Sequence, residues 1–215
     1  MFHSLYTRHQ ESLEPKGNKE ETPREWPATY LDGIANVDPQ TWELEITGDV
    51  AEPKKFSLEE LKKFPRLTQN RRLVSAQGWT YRSEWEGFLL QSLVDQIKPA
   101  ASATILRQVN LLGQVESIPL GVALQNRAPL CYGEAKKPLT ALYGGPLRLM
   151  VFDRYAYKGM AQLARLEFVP PTGELESHWA QKGYPRDGQI AAGQYYAFDT
   201  KKARPIHGSG EVTSY

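Results

Sequence analysis

Apolar and polar residues alternate along "TWELEITG", with Trp42, Leu44 and Ile46 on one side and Glu43 and Glu45 on the other. A period of two marks a half-buried strand. "SLEELKKFP" predicts a short helix, because Ser57 and Glu60 have capping-box spacing and Pro65 stops the run. "RRLVSA" predicts the next strand. In "WEGFLLQSLVDQIKP", Phe88 or Leu89, Leu93 and Ile97 fall near helical spacing, with Pro99 as terminator. "TILRQVNLLGQVESIPL" predicts two strands around a turn at Gly113, and "LGVALQN" a short helix. "GGPLRLMVF" predicts a turn entering a buried strand, and "AQLARLEFV" a strand closed by Pro170 and Pro171. Short strands mixed with short helices, without βαβ alternation, predict an α+β fold.

The pattern fades at both ends, which divides the chain into three. Residues 1–26 form a polar N-terminal tail, 27–170 the folded body, and 171–215 an irregular extension that wraps the body or a partner. Both tails are expected to meet protein partners. With 215 residues the body can bury a sizeable core. A net charge of +1 gives no global pull toward nucleic acid or acidic membranes. One cysteine excludes an internal disulfide. No apolar run approaches the ~20 residues that span a bilayer. The opening "MFHSLYTRHQESLEPKGNKEE" lacks the apolar stretch of a secretory signal, so a cytoplasmic location is expected, with attachment to a membrane complex left open.

Candidate chemistry is sparse. Ser75 has no histidine nearby and no nucleophile-elbow glycines, so a buried serine bonded to backbone is the better reading than a nucleophile. Cys131 in "APLCYGEA" reads as a packed thiol rather than a displaced ligand. His3, His9, His178 and His207 lack metal-ligand spacing, so no metal site is predicted from these residues. The basic run from Lys54 to Arg72 also carries Glu59 and Glu60 and lacks interleaved aromatics, so it reads as a solvated helix face. Tyr143, Tyr155 and Tyr157 near Arg148 either line a pocket or fill one.

Several stretches in order resemble the molybdopterin-binding domain of the sulfite oxidase family, from about Thr41 to Val169 and weakly to Tyr184. "TWELEITGDVAEPKKFSLEELKKFP" resembles the family's opening strand, turn and short helix. "SAQGW" followed by "WEGFLLQSLV" is similar to its C-V-x-G-W and W-x-G-V-x-L-x-x-L-L. "YGGPLRLMVFDRYAYKG" resembles H-G-G-P-L-R-L-V-V-P-x-x-Y-G-Y-K-S, and "ESHWAQKGY" its aromatic tail. The resemblance implies the sulfite-oxidase-type fold of mixed sheets with short helices. It also implies a molybdenum cofactor, held by a cysteine thiolate on the metal and by histidine, arginine, serine and lysine around the pterin and phosphate. The reactions implied are two-electron oxygen-atom transfers.

Carried over position by position, the motif is altered. Ser75 stands at the cysteine ligand, a hard oxygen in place of a soft thiolate. Tyr143 replaces the histidine before Gly-Gly-Pro, while Arg148 and Lys158 are kept. Gly159 replaces the following serine, and Ala161 the second lysine. Upstream, "TYLDGIANVD" offers Asn36 and Asp32 where an arginine and a histidine are expected. Framework residues such as Gly78, Trp79, Trp85, Gly87, Gly144, Gly145 and Pro146 remain. This pattern predicts a degenerate site without cofactor, in a structural or accessory subunit of a larger redox or membrane complex. The alternative is a molybdenum-cofactor oxidoreductase with Ser75 at the metal, acting on a small sulfur or nitrogen compound.

Overall fold

A computed structural model describes residues 33–125 and 127–208. The N-terminal tail and the last seven residues lie outside them, as does Asp32. In the described part, β1 (Glu43–Gly48) and β2 (Lys54–Ser57) precede α1 (Leu58–Leu61), then β3 (Leu67–Val74), β4 (Trp79–Leu89) and α2 (Leu90–Ile97) follow. Next come β5 (Ile105–Asn110), β6 (Val115–Pro119), α3 (Leu120–Gln125), β7 (Pro129–Glu134), β8 (Lys137–Pro138) and β9 (Arg148–Leu149). β10 (Leu163–Val169), β11 (Ala192–Ala197) and β12 (Lys202–His207) complete the order. The fold is α+β, with mixed sheets and few short helices.

One sheet has the order β2-β1-β10-β5-β6, and only its β1–β10 pair is parallel. The alternation seen in the sequence sets its inner face. Leu44 and Ile46 join Trp42, Phe56, Leu106, Leu166 and Phe168 in the main core, together with Leu90 and Leu93 of α2. Trp42 also donates its indole N–H to the Leu163 carbonyl at 2.9 Å. The predicted capping box opens α1. Ser57 N–H donates to Glu60 Oε2 at 2.8 Å, and Glu60 N–H donates back to Ser57 Oγ at 3.3 Å.

The other sheet runs β12-β11-β4-β7-β8, with β3 paired to β4 and β9 to β7. Here the structure corrects the helix expected to begin at Phe88 or Leu89. Trp85–Leu89 belong to β4, and the helix starts at Leu90. β3 covers one edge of β4 and β7 the other, so two ladders override the local spacing. Gly87 sits at the register shift between β4 and β7, where a Cβ would run into the Leu130 carbonyl oxygen. Only Arg148–Leu149 of "GGPLRLMVF" are paired as a strand, although Leu147 to Phe152 are all buried.

The expected irregular run beyond 171 is corrected in part as well. β11 and β12 form a hairpin, and β11 adds in parallel to β4 through Tyr196 opposite Trp79 and Ala197 opposite Thr80. Arg72 forks onto Asp199 at 2.6 and 2.8 Å and ties this hairpin to β3. Among the described residues no helix is long and apolar enough to cross a membrane.

Candidate functional site

Ser75 lies in the turn that joins β3 to β4. Its N–H donates to the Trp79 carbonyl at 2.8 Å, and Gly78 N–H donates to its carbonyl at 3.1 Å. Gly78 holds φ +90, the left-handed conformation that glycine adopts without strain. The Ser75 hydroxyl oxygen accepts the Gln77 N–H at 3.1 Å, and the residue is 6% exposed. Two clusters flank the turn. Val74 and Ala76 pack with Tyr155, Tyr157, Ile190, Tyr195 and Ile206. On the other side, Trp79 packs with Cys131, Leu139, Phe152 and Tyr143.

Tyr143 leads to the second part of the site. Gly144 turns at φ +91, the Gly145–Pro146 bond is cis, and β9 then delivers Arg148. Arg148 is buried, and its guanidinium donates to the Tyr143 carbonyl at 3.0 Å. A Cβ on Gly144 would meet Ala161 Cβ at 2.9 Å and the Arg148 guanidinium at 3.3 Å, so these three share one small space. Gln162 locks it. Its N–H donates to the Gly144 carbonyl at 2.8 Å, and its side chain both accepts from and donates to Ala35, at 3.0 and 2.8 Å. The segment before β1 therefore docks beside Arg148, with Asn36 exposed next to the clamp. Gln162 was missed from the sequence, because nothing in its spacing distinguishes it from any polar residue before a strand.

Lys158 is placed differently. It is buried, and its ammonium donates to Glu116 Oε1 at 2.5 Å and to the carbonyls of Ser117 and Arg186 at 2.6 and 2.7 Å. All three of its hydrogens are used within the protein. Burial pushes the Glu116 carboxyl up, and Lys158 pulls it back. A small polar cleft between Glu174, Glu176, Ser177 and Arg186 opens onto this pair. Gly159 packs under β9, where a Cβ would run into the Leu149 carbonyl oxygen.

The remaining candidates separate. Tyr143 and Tyr157 belong to different clusters, so they do not fill one cavity together. Cys131 faces Arg148 in the β7–β9 register, and burial pushes its thiol up to about 12. The basic run is not one face. Lys54, Lys55, Lys62, Lys63 and Arg66 are exposed, but Arg71 and Arg72 are buried on β3. His178 lies edge-on to Trp179 and His207 is exposed on β12, while His3 and His9 fall outside the described residues. Among the described residues no three histidine, cysteine or acidic side chains gather as a metal site.

Two features suit an anionic, metal-bearing group. The Ser75 oxygen already accepts a backbone N–H, which favours its anionic form. The Arg148 guanidinium sits beside a glycine turn that presents no side chain. Lys158 offers no free hydrogen for the same purpose.

A fold of two mixed sheets with this turn and this arginine is that of a molybdopterin-binding oxidoreductase domain. The chain belongs to the family described as oxidoreductase molybdopterin binding domain, whose pattern matches residues 32–179. It is similar to proteins named protein-methionine-sulfoxide reductase catalytic subunit MsrP. The one from Campylobacter jejuni is 27% identical over 66% of this chain and 54% of its own length. Those from Gluconobacter oxydans and Ralstonia nicotianae are 29% and 26% identical, over 73% and 68% of this chain. They are matched over 61% and 49% of their lengths, so the chain spans about half of these relatives. The sulfane dehydrogenase SoxCD of Paracoccus pantotrophus has the same fold, with TM-score 0.63 at 17% identity, over 82% of this chain and 47% of that one.

These comparisons overturn two expectations. A degenerate site in a cofactor-free accessory subunit does not agree with relatives that are named catalytic subunits. The expectation of no cofactor gives way to a family defined by molybdopterin binding. The error came from treating each altered motif position as a lost function. Gly159 meets a packing demand here, so its departure from serine says little about the cofactor.

Proposed function

We propose that this chain is the catalytic domain of a molybdenum-cofactor oxidoreductase that reduces a small sulfoxide. The observation that carries this reading is the similarity to three catalytic subunits, together with a family match over residues 32–179 that includes Ser75, Arg148 and Gln162. In sulfoxide reduction the sulfur–oxygen bond breaks, and two electrons and two protons yield a thioether and water. The bound cofactor supplies the two-electron and oxygen-transfer chemistry. The chain supplies position and electrostatics. Ser75 would offer its oxygen to the metal, and Gln77 N–H, which already donates to that oxygen, would stabilise negative charge on it. Arg148 would supply the positive charge for the anionic part of the cofactor, from a position fixed by the Tyr143 carbonyl and the close-packed Gly144 turn. The Trp79 and Tyr155 clusters on either side bury Ser75 itself, while Gln77 and Gly78 leave the rim of the turn open to solvent. Electrons would come from a protein redox partner.

The test is molybdenum and pterin content per chain in protein made with molybdate, with sulfoxide consumption followed using a reduced dye. Near one molybdenum per chain is expected. Ser75→Ala should lower metal content several-fold, and Ser75→Cys should keep it. A folded protein carrying neither molybdenum nor pterin would sink the reading.

A further inference from the structure

The cluster beside Ser75 does not end in the core. Tyr155, packed with Val74 and Ala76, stacks on Tyr157 with ring centroids 6.1 Å apart and planes at 22°. Tyr157 stacks in turn on Trp179 at 6.0 Å and 28°, and Tyr184 closes edge-on against both, at 5.8 and 5.2 Å. Tyr155 is buried, whereas Tyr157, Trp179 and Tyr184 are half-buried, so the ladder runs from the flank of Ser75 to solvent. Two of its hydroxyls are hydrogen-bonded within the protein. Tyr155 and Tyr195 share a hydrogen bond at 2.9 Å, and Tyr157 donates to the Pro185 carbonyl at 2.6 Å. Tyr157 stacks on both Tyr155 and Trp179, so what the ladder offers a ligand is its ring edges and its outer rings Trp179 and Tyr184, with the Lys182 ammonium 5.9 Å above the Trp179 ring.

We propose that the Tyr157–Trp179–Tyr184 ladder is the binding wall that guides the sulfur-bearing chain of the substrate to the Ser75 turn. This rests on the sulfoxide-reduction reading above. Thioether and sulfoxide sulfurs are polarisable and pack favourably at aromatic rings, and the methylenes beside them gain from the same apolar surface. The wall is continuous with the residues on both sides of Ser75, which a surface unrelated to the site would not need to be. It also explains why Trp179 and Tyr184 remain half-exposed in the segment 174–187.

The test uses the whole chain, with molybdenum and pterin counted in every sample. Trp179→Ala and Tyr184→Ala are compared with wild type and with Trp179→Phe, which keeps a ring face. The KM for methionine sulfoxide should rise up to about tenfold in the alanine variants, with kcat nearly unchanged. Trp179→Phe should stay near wild type. Calorimetric binding of a methionine-containing dipeptide, the thioether product, should weaken in parallel. An unchanged KM in metal-replete, folded alanine variants would overturn the proposal. If the protein proves to hold no cofactor, the functional reading fails separately. The dipeptide titration still decides the wall, because no binding to wild type, or equal binding to Trp179→Ala, rejects it. Should Trp179→Ala not fold, Tyr184→Ala carries both comparisons.

Discussion

Ser75 and Cys131 carry an oxygen and a sulfur of the kind that metals bind, and their surroundings separate their chemistry. Ser75 occupies a turn, with its oxygen already receiving Gln77 N–H. Cys131 lies inside β7 among Leu73, Trp85 and Phe152. Desolvation outweighs the nearby Arg148 guanidinium and holds its thiol at about 12, so almost none of it is thiolate near neutral pH. Iodoacetamide at about pH 8 should therefore leave Cys131 unmodified in the folded protein, with labelling appearing only as the chain unfolds in denaturant. Rapid labelling of native protein, read by mass spectrometry, would contradict the packing described here.

At the scale of elements, the Lys158–Glu116 pair joins three pieces of chain. Lys158 belongs to the short turn after Tyr155, Glu116 to β6, and the Arg186 carbonyl to the segment that leads toward β11. Both charged groups are almost fully buried. Removing one partner strands the other charge in a low-dielectric setting, so Lys158→Met should cost about 3–5 kcal/mol. Removing both charges together, as Lys158→Met with Glu116→Leu, should recover much of that loss. Denaturant unfolding of the two singles and the double gives the coupling directly. A neutral Lys158→Met would mean that the pair does not hold these elements together.

For the whole molecule, the C-terminal hairpin is the part that completes the second sheet. It pairs with β4 at two register positions, and the fork between Arg72 and Asp199 adds a charged tie to those backbone bonds. Burial alone would raise the Asp199 carboxyl, but the bonds from Arg72 outweigh it and leave the group below its ordinary value of 3.8. A depressed folded value means stability that is present above the unfolded value and is lost as pH falls through the folded one. Asp199→Asn should cost about 3 kcal/mol at neutral pH, because Arg72 is left buried beside a neutral partner. The variant should also lose less stability than wild type as pH drops below about 4. Thermal unfolding across that range checks both statements.

Local pattern alone was enough for much of the framework. The alternation at Trp42, Leu44 and Ile46, the capping box at Ser57 and Glu60, and the turn at Gly113 are readable because each depends on residues a few positions apart. The α+β class and the family motifs around Gly78, Trp79 and Arg148 follow from the same kind of information. The extent of β4 was not readable, because its last residues are held by β7, forty or more positions away. Nor was the hairpin at 192–207, whose pairing is decided by β4 and Arg72. The site divides along the same line. Ser75 and Arg148 stand out in the motifs, but Gln162 as a clamp, Lys158 as one half of a buried ion pair, and the ladder through Trp179 exist only once distant segments meet. A side chain's type is written in the sequence. Whether that side chain is spent on packing or left for chemistry depends on its neighbours in space, and those only the tertiary structure decides.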